Sequence, residues 1–140
     1  YIDLVHDGNL YEMKTKAPRK GQIKKDGTRG WSKPAMPKEP DYNHLCQVAV
    51  YWKATALKPN IVYISDTEIA HFDQDNCDKL SPEHLEFCLY DLRRRAIIRQ
   101  NLLAVSTDPK VLAGLVEPEF NHPFYWNNQY IDEARTLWNL

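Results

Sequence analysis

Apolar and polar residues alternate over residues 1–6 and again over 9–15, the period of two expected of strands with one lined face. Between the two runs, Asp7-Gly8 fits a two-residue type I′ turn, which needs positive φ at both positions. The alternation then stops. Residues 16–40 are rich in Lys, Pro and Gly, carry no periodicity and read as a long basic loop. Helical spacing appears over about 43–57, where Leu45, Ala49, Trp52 and Ala56 share a buried face. Asp41 or Asn43 is placed to cap this helix and Lys58-Pro59-Asn60 to stop it. The run Ile-Val-Tyr-Ile-Ser at 61–65 suits a buried strand, and 68–72 a further strand at an edge. Ser81-Pro82-Glu83 starts a helix with Ser as N-cap and Pro at the first helical position. It is expected to run to about 105, with Leu85, Cys88, Leu89, Leu92, Ala96 and Leu103 as its stripe. Short helices near 108–115 and 131–139 flank a Pro- and aromatic-rich linker at 117–130.

The Asp7-Gly8 turn fixes a register. His6 pairs with Asn9, Val5 with Leu10, Leu4 with Tyr11 and Asp3 with Glu12. Asp3, Glu12 and Lys14 then share one face with Tyr1, Val5 and Leu10, while Ile2, Leu4, Tyr11 and Met13 make the other face apolar. Directly opposed residues lie roughly 4.5–5.5 Å apart at Cβ, so two carboxylates there repel. A divalent cation removes the conflict, and two carboxylates plus water suit Mg²⁺ or Mn²⁺. An adjacent Lys14 can orient a metal-associated water or stabilise charge on a phosphorane-like transition state. The same three residues also suit a solvated strand face with an ion pair. Gln47 and Tyr51 are four apart and share a face of the following helix. That helix forms a β-α-β crossover, expected to be right-handed, from which Gln47 can reach Lys14, a phosphate or an attacking water.

At 140 residues the chain has the length of one domain, with a formal net charge of −1. The distribution of charge says more than its total. Nine of the 18 Lys and Arg residues fall between Lys14 and Lys38, against the single acid Asp26, and the rest of the chain is net −9. A basic segment that leaves the strand just after Lys14 suits a polyanionic substrate, although charge runs also serve as solvated linkers. Trp31, in its middle, either stacks on a base or pins the loop to the domain. Cys46, Cys77 and Cys88 are widely spaced with no C-x-x-C, which argues against a disulfide framework or a zinc knuckle and for a reducing compartment. No apolar run approaches the length of a membrane span. The five histidines form no metal-binding spacing, but His44 precedes Gln47 by three and can reach the same site. Arg93, Arg94, Arg95 and Arg99 read as a solvated helix face, with phosphate contact as the alternative. Tyr1 already lies inside a strand pattern, so upstream sequence is expected to be missing.

Taken in order, these residues resemble the PD-(D/E)xK nuclease superfamily, and within it the RecB-like and phage exonuclease branch. The matching pieces are the Ile-Asp-Leu-Val strand with Asp3, the Glu-x-Lys of Glu12 and Lys14, and the Gln-x-x-x-Tyr of Gln47 and Tyr51. The resemblance covers about residues 1–72. It implies a single α/β domain over 1–140 with a restriction-endonuclease-like mixed β-sheet core flanked by helices: core 1–72 with the basic loop 16–40, and a helical part at 81–140. It implies Mg²⁺ or Mn²⁺ held by Asp3, Glu12 and the Met13 carbonyl, Lys14 as the catalytic lysine, and Gln47 and Tyr51 positioning the lysine or the substrate. The implied activity is metal-dependent hydrolysis of DNA by an exonuclease of recombination or repair, in a bacterial or phage-infected cytoplasm. Homo-oligomerisation or a recombination partner protein would fit that setting, and no membrane is involved. Lys16, Arg19, Lys20, Lys24, Lys25, Arg29 and Trp31 would contact the DNA. Two features depart from the family: its first helix and first core strand would lie upstream of Tyr1, and the insertion between Glu-x-Lys and the helix is long. The rival readings are a non-catalytic nucleic-acid-binding module that keeps the fold, and an interaction domain whose hairpin charges are merely solvated.

Overall fold

A computed structural model of the chain describes residues 2–23, 25–117 and 131–138, without the side chains of Arg19 and Gln22. Tyr1, Lys24, the Arg19 side chain and most of the expected linker therefore lie outside the described residues. The elements are β1 (Leu4–His6), β2 (Asn9–Thr15), β3 (Arg19–Ile23), β4 (Arg29–Ser32), α1 (Tyr42–Thr55), β5 (Lys58–Ile64), β6 (Ile69–Phe72), α2 (Pro82–Val105), α3 (Pro109–Ala113) and α4 (Ile131–Leu137). They form two compact units, Tyr1–Leu92 and Arg93–Leu140. The second holds the end of α2 with α3 and α4. Asp108 caps α3 through the Lys110 amide at 2.9 Å, and the Trp138 indole donates to the Val116 carbonyl at 3.0 Å.

The first unit is a mixed α/β layer. Its four-stranded sheet has the order β1-β2-β5-β6, with β2 and β5 parallel and the outer pairs antiparallel. Asp7 and Gly8 take φ of 46° and 75°, as a type I′ turn requires, and set Leu4 opposite Tyr11, Val5 opposite Leu10 and His6 opposite Asn9. The ladder ends there. In a continued ladder Met13 N–H would donate to the Ile2 carbonyl. It donates instead to Asp3 Oδ2, at 2.7 Å.

Beside β5, β2 places Leu10, Glu12 and Lys14 next to Pro59, Ile61 and Tyr63. α1 covers this face with Leu45, Cys46, Val48 and Ala49, and Leu80, Leu85 and Cys88 extend the core. The face that bears the acids is therefore the buried one. On the opposite face Leu4 and Met13 are exposed and Tyr11 is half-buried against His71. Asn60, buried on that second side, gives its amide hydrogens to the Leu10 and Lys58 carbonyls at 3.3 and 3.2 Å and meets His71 Nε2 at 2.8 Å through Oδ1. A buried amide is tolerated when it is bonded in this way.

The structure corrects three expectations. The segment 16–40 is not a plain loop: β3 and β4 form a separate antiparallel ribbon, with Lys20 opposite Trp31 and Ile23 opposite Arg29. Its turn is closed by Asp26 Oδ1, which accepts from the Thr28 amide and hydroxyl at 2.9 and 2.6 Å, and by Gly27 at φ 79°. Next, α1 ends at Thr55 because Ala56 turns left-handed at φ 58°, so Ala56 is exposed and Trp52 only half-buried. Lys58-Pro59-Asn60 does not stop the helix; it begins β5, where Pro59 precedes the stretch that pairs with β6 and its missing N–H breaks no bond there. Finally, the α2 stripe is buried at Leu85 and Cys88, half-buried at Leu89 and Leu92, and exposed at Ala96 and Leu103. The expected α1 cap at Asp41 and the Ser81 cap of α2 are both present, through the Asn43 amide at 2.8 Å and the His84 amide at 3.3 Å. All three cysteines are free thiols, and burial together with Cys46 pushes the Cys88 thiol up to about 11. Among the described residues no helix is long and apolar enough to cross a membrane.

Ala56 is the residue most plainly at odds with its backbone, since a left-handed Cβ meets its own carbonyl. Ala56→Gly should stabilise the protein by about 0.5–1 kcal/mol, read as a rise in the urea midpoint at constant m-value.

Candidate active site

Glu12 comes from the middle of β2 and is only 2% exposed. Lys14, two residues on, shares its face and is 24% exposed along the side chain. Lys14 Nζ donates to Glu12 Oε1 in a short ion pair and to Gln47 Oε1 at 3.0 Å. Gln47 Nε2 donates to the Tyr51 hydroxyl at 3.0 Å, one helical turn along α1. The lysine, which only donates, fixes the orientation of the Gln47 amide: oxygen toward Lys14, nitrogen toward Tyr51. The amide donor favours phenolate and holds the Tyr51 hydroxyl below the usual phenol range. An ammonium has three hydrogens, and these bonds occupy two.

Glu12 Oε2 is buried and has no hydrogen-bond partner among the described residues. A buried carboxylate oxygen left so is costly, and native structures usually give one a partner, a water or an ion. Asp3, exposed, reaches β2 through the Met13 amide, between Glu12 and Lys14 in the chain. Among the described residues, no three His, Cys, Asp or Glu side chains cluster as a ligand group. A hard cation here would rest on Glu12 and Asp3 and complete its shell with backbone or water oxygens, the donor set that Mg²⁺ tolerates.

The sequence had singled out His44 only as a residue within reach. It gave no role to Tyr63, the partner of Lys14 across the parallel ladder. The Tyr63 hydroxyl accepts from the Asp41 amide at 3.0 Å and lies 2.7 Å from His44 Nδ1. With the amide as donor, the phenol hydrogen is satisfied by giving it to Nδ1, which makes His44 the Nε2–H tautomer. The signal was a tyrosine inside an otherwise apolar buried run, because such a hydroxyl must find a partner. Through Tyr63 the start of α1 is tied to β5, and with it the position of Gln47. Burial, then the Lys14 cation, hold the His44 imidazole below its usual range.

The expected nucleic-acid contacts sit on the ribbon and its root. Lys20 Nζ lies 5.9 Å from the ring centroid of Trp31, and Lys16 Nζ lies 5.3 Å from that of Tyr63. Lys25, Arg29 and Trp31 are exposed, so Trp31 does not bury itself against the domain. The structure thus brings Glu12, Lys14, Gln47 and Tyr51 into one bonded chain, sets Asp3 beside it through the backbone, and puts the other bases on a separate ribbon. No protein-family model matches the chain, and no curated protein or solved structure matches it significantly.

Two outcomes follow. Lys14→Met leaves Glu12 without its cation and should destabilise the protein by about 3–5 kcal/mol, while Lys14→Met combined with Glu12→Leu should recover most of that loss in urea titrations. Lys14→Met should also raise the His44 pKa, followed by NMR, because the neighbouring positive charge is gone. The stability linkage has a definite sign. A histidine depressed in the folded state takes up its proton more readily when unfolded. It therefore withdraws stability as pH falls through about 6.5, and withdraws less in Lys14→Met.

Proposed function

We propose that this chain is a metal-dependent nuclease that hydrolyses DNA phosphodiester bonds, with Glu12 and Lys14 at its centre. One observation carries the reading: a carboxylate is buried in the sheet-helix layer with one oxygen on Lys14 and the other without a partner among the described residues. A purely structural ion pair would gain nothing from that second oxygen, whereas a divalent cation would satisfy it. Glu12 and Asp3 would hold the ion, with the Met13 carbonyl as a further oxygen. When bound, Mg²⁺ would act as a Lewis acid on a phosphoryl oxygen and lower the pKa of a water.

The chain's own residues supply the rest. Lys14, anchored by Glu12 and Gln47, has a third N–H to offer a phosphate oxygen or the attacking water, and because it is already oriented it reorganises little as charge develops. Gln47 holds the lysine, and Tyr51 holds Gln47. Bases on the ribbon favour the approach of a polyanion. The basic ribbon would equally serve a binding module without catalysis, and the assay separates the two.

Purified protein should nick or degrade DNA with Mg²⁺ or Mn²⁺ and not with EDTA, and linear against circular substrate then tells end-directed from internal cleavage. Lys14→Ala should lower turnover by about 10²–10⁴-fold with little change in DNA affinity. Glu12→Gln and Asp3→Asn should weaken Mn²⁺ binding in calorimetry. Undiminished Mn²⁺ binding in both, or wild-type turnover in Lys14→Ala, would remove the catalytic assignment and leave the binding module.

A further inference from the structure

The ribbon and the sheet meet in a cleft of about 480 Å³, lined by Thr15, Lys16 and Ala17 at the end of β2 and by Ser32, Lys33 and Pro34 at the end of β4. Its two walls lead to two different features. One residue back from Thr15 is Lys14; one residue back from Ser32 is Trp31. A chain lying in the cleft would therefore pass segments that adjoin the candidate active site on one side and the indole on the other in sequence. Lys16 and Lys33 both line the cleft, one from each segment, which suits a phosphate beside them. Trp31 is 66% exposed, an unusual state for so large an apolar ring, and it is opposite Lys20, whose ammonium lies over the ring. The ribbon around it is ordered by chemistry of its own. Gly21 lies so close to Gly30 that a Cβ at Gly21 would stand 3.1 Å from the Gly30 carbonyl oxygen, a tight approach that a side chain there would have to push apart by a few tenths of an ångström. The ribbon's single acid, Asp26, is engaged by Thr28 in the turn.

From this we infer that the cleft is a path for single-stranded DNA, with an unpaired base stacked on Trp31 and the adjoining phosphate beside Lys16 and Lys33. The inference rests on the nuclease reading only in naming the polymer, and it makes strands with unpaired nucleotides the substrate class. Charge alone would favour any polyanion, and a duplex presents phosphates as readily as a single strand does. The exposed indole decides between them: stacked base pairs hide their faces, whereas an unpaired base offers one.

The test measures binding by fluorescence anisotropy in EDTA, so that no cleavage intervenes, with labelled oligothymidylate, a blunt duplex and the same duplex with a single-stranded overhang. Oligothymidylate and the overhang should bind more tightly than the blunt duplex. Trp31→Ala should weaken both by about fivefold to 150-fold, the range for one lost base stack, with the salt slope unchanged. Trp31→Phe should restore much of the loss, which separates stacking from misfolding. Lys16→Ala and Lys33→Ala should each lower the salt slope by about 0.7, one phosphate apiece on a single strand. A blunt duplex bound as tightly as the single strand, or a Trp31→Ala protein that binds oligothymidylate like wild type, overturns the path. Neither outcome touches the nuclease reading if Mg²⁺-dependent cleavage and its loss in Lys14→Ala persist. Conversely, Trp31-dependent binding by a protein that never cleaves keeps the path and removes the nuclease.

Discussion

One carboxylate, Glu12, sits where the sheet meets α1, and the local structure is organised around giving it a partner there. Its neighbours in the core are Leu10, Ile61, Tyr63, Leu45, Val48 and Ala49. Taking such a group out of water costs several kcal/mol, and one cation repays it only when the geometry is good and the remaining polar atoms are satisfied. Lys14 supplies the cation from the same strand face, and Gln47 and Tyr51 extend the bonds away from the sheet. Leucine at position 12 would fill the layer without any of these partners. Four polar side chains are spent on a problem that one apolar residue would avoid, and an oxygen is still left over. A cluster of that kind is easier to understand as a site than as a fastening.

The cluster works only if α1 has the right height and rotation on the sheet. Two bonds at one residue fix where the helix begins: the Asp41 side chain caps it, and the Asp41 amide donates to the phenol of Tyr63 in β5. From there Gln47 follows within two turns and Tyr51 one turn later. Tyr63 is also the register partner of Lys14. The same tyrosine therefore positions both ends of the Lys14–Gln47 bond, one through the sheet and one through the helix start. This explains how a buried hydroxyl away from the reacting groups can govern their geometry.

Where the chain's conformation is decided by neighbours in sequence, it was legible. Asp7-Gly8 dictates its own turn and so the register of Val5 with Leu10; Asp41 and Ser81 cap helices through their own side chains. The set Glu12, Lys14, Gln47 and Tyr51 could be assembled because strand and helix periods put each pair on one face. What failed depended on tertiary partners. The ribbon has no alternation at all: Arg-Lys-Gly-Gln-Ile and Arg-Gly-Trp-Ser are held by a glycine contact and by an Asp26–Thr28 turn hidden in a run of charges. Pro59 and Asn60 carry the signature of a break, yet both are buried in β5, because the proline precedes the β6 pairing and Asn60 finds partners across the sheet. Asp3 was expected opposite Glu12 in the ladder, and a side chain that could take Met13's amide itself ended the ladder first.

Charge gives the ribbon and the site a common logic. Outside residues 14–38 the chain is net −9, whereas that segment carries nine bases against one acid. Within a Debye length of about 8 Å at physiological salt, that contrast acts locally, at close approach rather than across the molecule. The basic segment begins at the residue after Thr15, so the region proposed to attract a phosphate chain grows directly out of the strand that carries Lys14. Because a β-ribbon is stiffer than a loop, the proposed path would require fewer conformations to be given up when a strand of nucleic acid settled along it. The order in sequence, strand then ribbon then helix, places Glu12 and Lys14, the bases, and Gln47 with Tyr51 in consecutive segments of one short stretch of chain.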